Sequence, residues 1–193
     1  MKINKKLGLG LLLFFSCLNL TAQQKWTFEF RPDLNFPTTK IENEKFNTGF
    51  GFDASISYKF TSAFGVYAGW GWNIYRIENL PDTGNIDIDE TGYTFGVIFS
   101  HPISDPSFSY FLRLGGIYTH LELENGAGDT IASSDHQPGW EIAAGLDFSY
   151  FGSFSLLPQI GYRSFSADFS SEDIYPKIDL NNLFFGIGIA KSF

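Results

Sequence analysis

The stretch FNTGFGFDASISYKF, residues 46–60, decides the fold. Phe46, Thr48, Phe50, Phe52, Ala54, Ile56, Tyr58 and Phe60 share one parity. Asn47, Gly49, Gly51, Asp53, Ser55, Ser57 and Lys59 share the other. Successive side chains of an extended chain point to opposite faces, so this pattern gives a strand with one apolar and one polar side. On a helix the same residues would scatter around the circumference.

The pattern recurs on either side. Segments 25–34 (Trp26, Phe28, Phe30), 64–75 (Phe64, Val66, Trp70, Trp72, Ile74) and 91–100 (Tyr93, Phe95, Val97, Phe99) alternate in the same way. So do 107–120 (Phe108, Tyr110, Leu112, Leu114, Tyr118), 139–150 (Trp140, Ile142, Leu146, Phe148, Tyr150), 154–163 (Phe154, Leu156, Ile160, Tyr162) and 182–193 (Leu183, Phe185, Ile187, Ile189, Phe193). With 46–60 these make eight strands. Phe 22, Tyr 9 and Gly 20 against a single Met suit strands and oppose helices. Connections alternate: short at 61–63, 101–106 and 151–153, long at 36–45, 76–90, 121–138 and 164–179.

The N-terminus has a different character. Lys2, Lys5 and Lys6 precede an apolar run over 7–20 and the small residues Thr21 and Ala22, the layout of a secretory signal peptide over residues 1–22. The run falls short of the ~20 residues of a comfortable membrane-spanning helix. The lone cysteine, Cys17, lies inside it behind Phe14-Phe15-Ser16, a poor lipidation sequence. The expected mature domain, 23–193, therefore has no disulfide, thiolate metal site or cysteine nucleophile.

Side-chain volume tells lipid from lumen. An eight-stranded barrel holds on the order of twelve side chains inside, and the apolar parities carry far more bulky groups than that. They must face an apolar medium outside. Twelve of the 20 glycines fall on the opposite parity, where they make room in a narrow interior. The expected fold is all-β, an eight-stranded antiparallel up-and-down transmembrane β-barrel. Phe60, Phe64, Phe99, Phe108, Tyr150 and Phe154 near the short turns, and Phe46, Tyr118, Trp140 and Tyr162 near the long loops, form two expected aromatic girdles. The chain has 13 basic and 21 acidic side chains, and loss of the three N-terminal lysines leaves a net charge of −11. Segments 76–90, 121–138 and 164–180 carry −4, −4 and −3 of it. Such a surface repels nucleic-acid phosphates.

The whole of 23–193 resembles the small outer-membrane barrels: the transmembrane domain of OmpA, OmpX, OmpW and the outer membrane protein β-barrel domain group. The resemblance is most specific at residues 185–193. There Phe185, Ile187, Ile189 and the terminal Phe193 look like the signal read by the barrel-assembly machinery, with Lys191 departing from the usual apolar residue. It implies a monomer in the outer membrane of a Gram-negative cell, in contact with lipid and lipopolysaccharide. Long loops would be extracellular, and short turns and both termini periplasmic. No peptidoglycan-binding domain is expected beyond Phe193.

The inward parity carries Glu29, Arg31, Asp53, Lys59, Arg113, Glu141, Asp147 and Arg163, four of each sign. A turn centred on Gly152 sets Glu141 opposite Arg163 and predicts an ion pair there, since buried charges persist only when paired. A charge-balanced filling of a closed lumen accounts for the set; a gate or binding pocket is the functional alternative. Lipid A-modifying barrels need a histidine beside a serine near the outer leaflet. Only His101, His120 and His136 exist; His101 sits at a short turn on the wrong side and His120 has no His-x-Ser spacing, so no catalytic residue and no enzyme is expected. Asp82, Asp87, Asp89 and Glu90 do not follow a calcium-loop pattern and are expected to be a solvated acidic face. No metal or cofactor site is expected. The leading functional reading is a structural or surface-interaction barrel, ahead of a narrow pore for small or hydrophobic solutes.

Overall fold

The computed structural model describes residues 25–41, 44–80, 84–105, 107–169 and 177–193. The expected signal peptide lies outside them. In chain order the strands are β1 (Trp26–Pro37), β2 (Lys40–Ile41), β3 (Glu44–Lys45), β4 (Gly49–Lys59), β5 (Phe64–Leu80), β6 (Gly84–Asp105), β7 (Phe108–Asn125), β8 (Thr130–Ser133), β9 (Gln137–Phe151), β10 (Phe154–Asp168) and β11 (Lys177–Ser192). Eight of them run antiparallel in the ring order β1-β4-β5-β6-β7-β9-β10-β11, which β1–β11 and β6–β7 complete. The result is the closed eight-stranded up-and-down barrel that the alternation predicts. Closure leaves no strand edge of the ring unpaired, the condition for β-structure in lipid. β2 and β3 form a small hairpin of their own, and β8 adds to β7 beyond the ring.

Two-residue links join β6 to β7 and β9 to β10. In the second, Gly152 has φ 72°, a left-handed conformation that an L side chain rarely adopts. The segments expected as long loops are largely strand. β5 and β6 continue as a hairpin to Leu80 and Gly84, β7 to Asn125, and β10 and β11 to Asp168 and Lys177. The expectation failed because alternation persists there with its phase reversed. Within the lower barrel Ile74, Tyr93 and Tyr118 point outward; higher up, Tyr75, Ile77, Ile86, Ile88, Leu121 and Leu123 point inward and are buried. An apolar-outside template stops matching at that point.

The lengths agree. A tilted strand needs about 9–11 residues to cross a bilayer, whereas β5, β6 and β7 have 17, 22 and 18. The outward apolar band covers the half nearer the short turns: Phe28, Phe30, Phe50, Ile56, Val66, Phe95, Val97, Leu112, Leu114, Ile142, Leu156, Ile160, Phe185, Ile187 and Ile189 are all exposed. In the other half the outward positions include Arg76, Asp87, Asp89, Glu122, Glu124, Asp168 and Asp179, with Ile131 of β8 among them as an exposed apolar side chain. The barrel therefore continues past the bilayer as a β-extension with the polarity of a water-soluble protein.

Aromatic side chains ring both edges of the apolar band. Phe60, Phe64 and Phe154 are exposed at the short-turn end and Tyr118 and Trp140 at the other, where Trp140 packs on Tyr162 at 5.6 Å. Phe46 is a correction. It precedes β4, is buried inside, and meets Tyr75 edge-on at 6.2 Å. The Tyr150 side chain lies outside the described ones.

Candidate functional site

The interior consists of three zones. Nearest the short turns is a polar vestibule of about 40 Å³, whose lining includes Thr27, Ser57, Lys59, Ser100, Asp147 and Ser155. Lys59 and Asp147 are half-buried here, and Glu29 and Arg113 of the predicted charges line the same cavity. The Ser149 hydroxyl donates to Asp147 Oδ1 at 2.6 Å and lies 2.7 Å from the Ser155 hydroxyl.

The second zone is a ladder of buried charges. Glu29, Arg31, Asp53, Arg113, Glu141 and Arg163 are each at most 5% exposed. Arg113 donates to Glu29, a bond between β7 and β1, which stand four strands apart on an eight-strand ring. This pair therefore spans the full diameter. Gln159 donates to the other oxygen of Glu29 at 2.8 Å and accepts from Arg31 at 2.9 Å. Arg31 donates to its neighbour Asp53. Arg163 donates to Glu141 across the β9–β10 register at 3.1 Å, and lies 3.5 Å from both Asp53 and Glu90. Tyr67 crosses from β5 to donate to the second oxygen of Glu141 at 2.6 Å. The Phe184 ring meets two guanidiniums, Arg31 at 4.8 Å and Arg163 at 5.7 Å from its centroid. Such stacking suits a weakly hydrated cation.

Residues that sequence reasoning passed over complete the ladder. Asp33 lies 3.5 Å from the Arg31 Nε and accepts from Asn35 at 2.8 Å. Asn35 also donates to Asn73 at 2.9 Å, and Asn73 to Glu90 at 3.2 Å. Tyr75 donates to Glu90 at 2.8 Å and accepts from Asn182 at 2.7 Å. Glu90 is thus a second correction: expected on a solvated acidic face, it is 2% exposed. Its companion Asp82 lies outside the described residues. Parity alone could have found Asp33 and Glu90, since each continues an inward series, Glu29-Arg31-Asp33 and Glu90-Gly92-Thr94.

The glycines define how tightly this ladder is enclosed. A Cβ on Gly186 would sit 2.8 Å from Cγ and Cδ of Arg31, so the guanidinium lies where it does because β11 presents no side chain there. A cavity lined by Asp53, Asn73, Glu90, Thr119 and Arg163 measures about 10 Å³, barely the space of one water.

Beyond the ladder is the third zone, a dry core inside the β-extension. Tyr75, Ile77, Ile86, Ile88, Ile117, Leu121, Leu123, Phe165, Ala167, Phe169, Ile178 and Leu180 form one buried cluster with Phe46. Burial of each large aliphatic stabilises by about 1.5–3 kcal/mol relative to exposure. This core plugs the barrel at the long-loop end.

The outer face of the extension is acidic. The Arg76 guanidinium grips Asp87 with bonds of 2.6 and 2.8 Å, and this hydrogen bonding holds the Asp87 carboxyl below its ordinary range. Asp89 is pushed upward, first by burial and then by the negative charge of Glu124, Glu122 and Asp87, against the hydrogen bond from Trp72. Among the described residues no group of three or more His, Cys, Asp and Glu is arranged to hold a metal ion. Of the histidines, His101 lies exposed at the short-turn end with Nδ1 2.6 Å from the Pro102 carbonyl. His120 and His136 meet on the outer face at the long-loop end. At the C-terminal strand, Phe185, Ile187 and Ile189 face outward, and the Lys191 ammonium lies over the Phe154 and Phe193 rings at 5.6 and 5.2 Å.

Comparison with known proteins agrees with this architecture. The fold matches the crystal structure of Neisserial surface protein A (NspA) with a TM-score of 0.64, at 11% identity over 87% of this chain and 97% of that one. It matches the outer membrane protein OprG from Pseudomonas aeruginosa with a TM-score of 0.60, at 13% identity over 88% and 95%. It matches the E. coli outer membrane protein W with a TM-score of 0.53, at 14% identity over 89% and 100%. At such identities the likeness concerns the fold alone. No curated protein sequence matches the chain. The family model described as "Outer membrane protein beta-barrel domain" matches residues 10–193. The chain accordingly belongs to the outer membrane protein β-barrel domain family and is an outer-membrane protein.

Proposed function

We propose that the protein is a closed barrel whose role is carried out at the long-loop end, as a structural or surface-interaction element rather than a conduit. One observation carries this reading: cross-lumen bonds between Arg113 and Glu29 and between Tyr67 and Glu141 lie beneath an apolar plug. A water path would require breaking buried ion pairs and wetting a dry core, each at a cost of several kcal/mol. The extension is strand-paired and acidic outside, which suits cationic partners or partners bridged by cations. It disfavours polyanions.

In this reading the long-loop end is extracellular and the short turns periplasmic, in keeping with the short periplasmic turns and longer outer loops general among such barrels. The barrel works as a monomer with outer-membrane lipid and lipopolysaccharide around it. Its last strand, with Phe185, Ile187, Ile189 and Phe193, is the segment for the assembly machinery. No catalytic role is proposed: among the described residues the histidines bond to the Pro102 carbonyl, to each other and to Glu122, not to the serine that acyl-transfer chemistry requires.

Single-channel recording of the purified protein in planar bilayers tests the reading. The expected trace is flat. Steady unit conductance in wild type would overturn it in favour of a pore. Protease treatment of intact cells tests the orientation: cleavage is expected at the exposed turn 126–129 between β7 and β8 and not at the short turns.

A further inference from the structure

On the outer face of the extension, at the level of the aromatic girdle, two histidines sixteen residues apart in sequence stand side by side. Thr119 pairs with Gln137 in the β7–β9 ladder, so His120 and His136 are the next residues across. His120 Nδ1 lies 3.2 Å from His136 Nε2, and the ring centroids are 4.4 Å apart. The opposite nitrogen of His120, Nε2, lies 3.3 Å from Glu122 Oε1. His136 packs on Tyr118 at 5.2 Å and is stacked with Tyr93 at 6.3 Å.

We propose that His120 and His136 form a two-histidine site for a borderline divalent transition ion of the zinc class. Two imidazole nitrogens each about 2.0–2.1 Å from a tetrahedral ion are about 3.4 Å apart, close to the 3.2 Å between this pair. The contact with Glu122 supplies what metal-bound histidines generally have: a carboxylate that accepts a hydrogen bond from the far N–H, fixes the ring and leaves the near lone pair for the ion. Glu122 is thus a positioning residue. Tyr118 and Tyr93 hold the His136 ring in place from the side. The pair sits among outward carboxylates: Asp89 stands across the β6–β7 ladder from Glu122, Asp87 across from Glu124. Their field concentrates cations at this face. Imidazole donors select zinc, copper or nickel over calcium and magnesium, which want oxygen ligands. Two protein ligands leave the remaining positions to water or to an anionic oxygen on a second molecule. The site would therefore let an acidic surface recognise an anionic partner.

The test uses untagged protein extracted from outer membranes in detergent, with its folded state verified by heat-dependent gel mobility. Equilibrium dialysis against Zn²⁺ followed by metal analysis is expected to give one ion per chain in wild type and in His101→Ala. The stoichiometric ion should be lost in His120→Ala and in His136→Ala, and Glu122→Gln should weaken binding about tenfold. Excess Ca²⁺ should not compete. Absence of uptake by wild type, or uptake that survives both histidine substitutions, would overturn the proposal. Both histidines lie on the outer face, outside the buried cluster, so the variants are expected to fold.

Discussion

Leu114 and Leu121 lie seven residues apart on β7, yet one is 58% exposed and the other wholly buried. Leu114 belongs to the lower barrel, where lipid is the solvent and charges such as Arg113 turn inward. Leu121 belongs to the extension, where water is the solvent and Glu122 and Glu124 turn outward. The backbone is one continuous ladder through both regions. What changes is the medium outside, and with it which parity is apolar. The difference teaches that a β-strand carries no fixed inside: the alternation supplies two faces, and the surroundings assign them.

The strongest way to break this contrast is to disturb the polar interior of the lower half. Arg163 faces Asp53, Glu90 and Glu141, and Arg163→Leu would strand those carboxylates in a closed space. The expected loss is about 3–5 kcal/mol, read by urea titration of the protein in lipid vesicles. A loss below 1 kcal/mol would mean that water reaches the ladder, and with it that the lumen is open.

The paired leucines come next. Leu121→Ala is expected to cost about 2–5 kcal/mol through the cavity left in the dry core. Leu114→Ala leaves no cavity, because lipid chains refill its place, so it should lose only the water-to-lipid transfer of the missing groups, about 0.8 kcal/mol each, without the added cavity cost. Equal losses in the same titration would erase the distinction between the two regions. Charge inverts the ranking: Leu114→Lys is expected to cost about 2–4 kcal/mol at depth in the bilayer. Glu124→Lys, on the outer face of the extension, should stay within about 0.5 kcal/mol.

The smallest effect concerns pH. Asp87 is held below its ordinary carboxylate range by Arg76, so its contribution is present above the unfolded value of about 3.9. It is lost as pH falls through the lower folded value. For so exposed a pair the contribution is about 0.2–1 kcal/mol and is screened by salt. Asp87→Asn should therefore differ slightly from wild type at pH 7 and converge with it once the pH lies below the folded value of Asp87; a difference that persists with Asp87 fully protonated would assign the effect to something other than the ion pair.

How much could be read beforehand follows the same division. The lower barrel was legible residue by residue, because lipid demands an uninterrupted apolar parity and the strands supply it from Trp26 to Phe193. The Glu141–Arg163 register is the one that a turn centred on Gly152 predicts, although the hairpin reaches it through an irregularity between Phe154 and Leu156. The Arg113–Glu29 bridge has no such local sign, because residues 84 positions apart meet only when the ring has closed. Glu90 and Phe46 were misplaced for one reason: both lie near the level where the polarity reverses, and there an acid can be inside and a phenylalanine can leave the lipid face. The histidine pair was hidden because His136 lies in the connection before β9, and its partner depends on where β9 begins.

The sequence by itself determined that the chain forms alternating strands, that it meets lipid with its bulky face, and that its interior is narrow and glycine-lined. These follow from parity and side-chain volume, which are properties of the chain order. Only the tertiary structure decided which opposite walls are bonded through the lumen, where the bilayer half gives way to a water-facing barrel, and which outer side chains become neighbours. Those depend on strand length, shear and closure, which bring distant residues to one level of the ring and which no local pattern encodes.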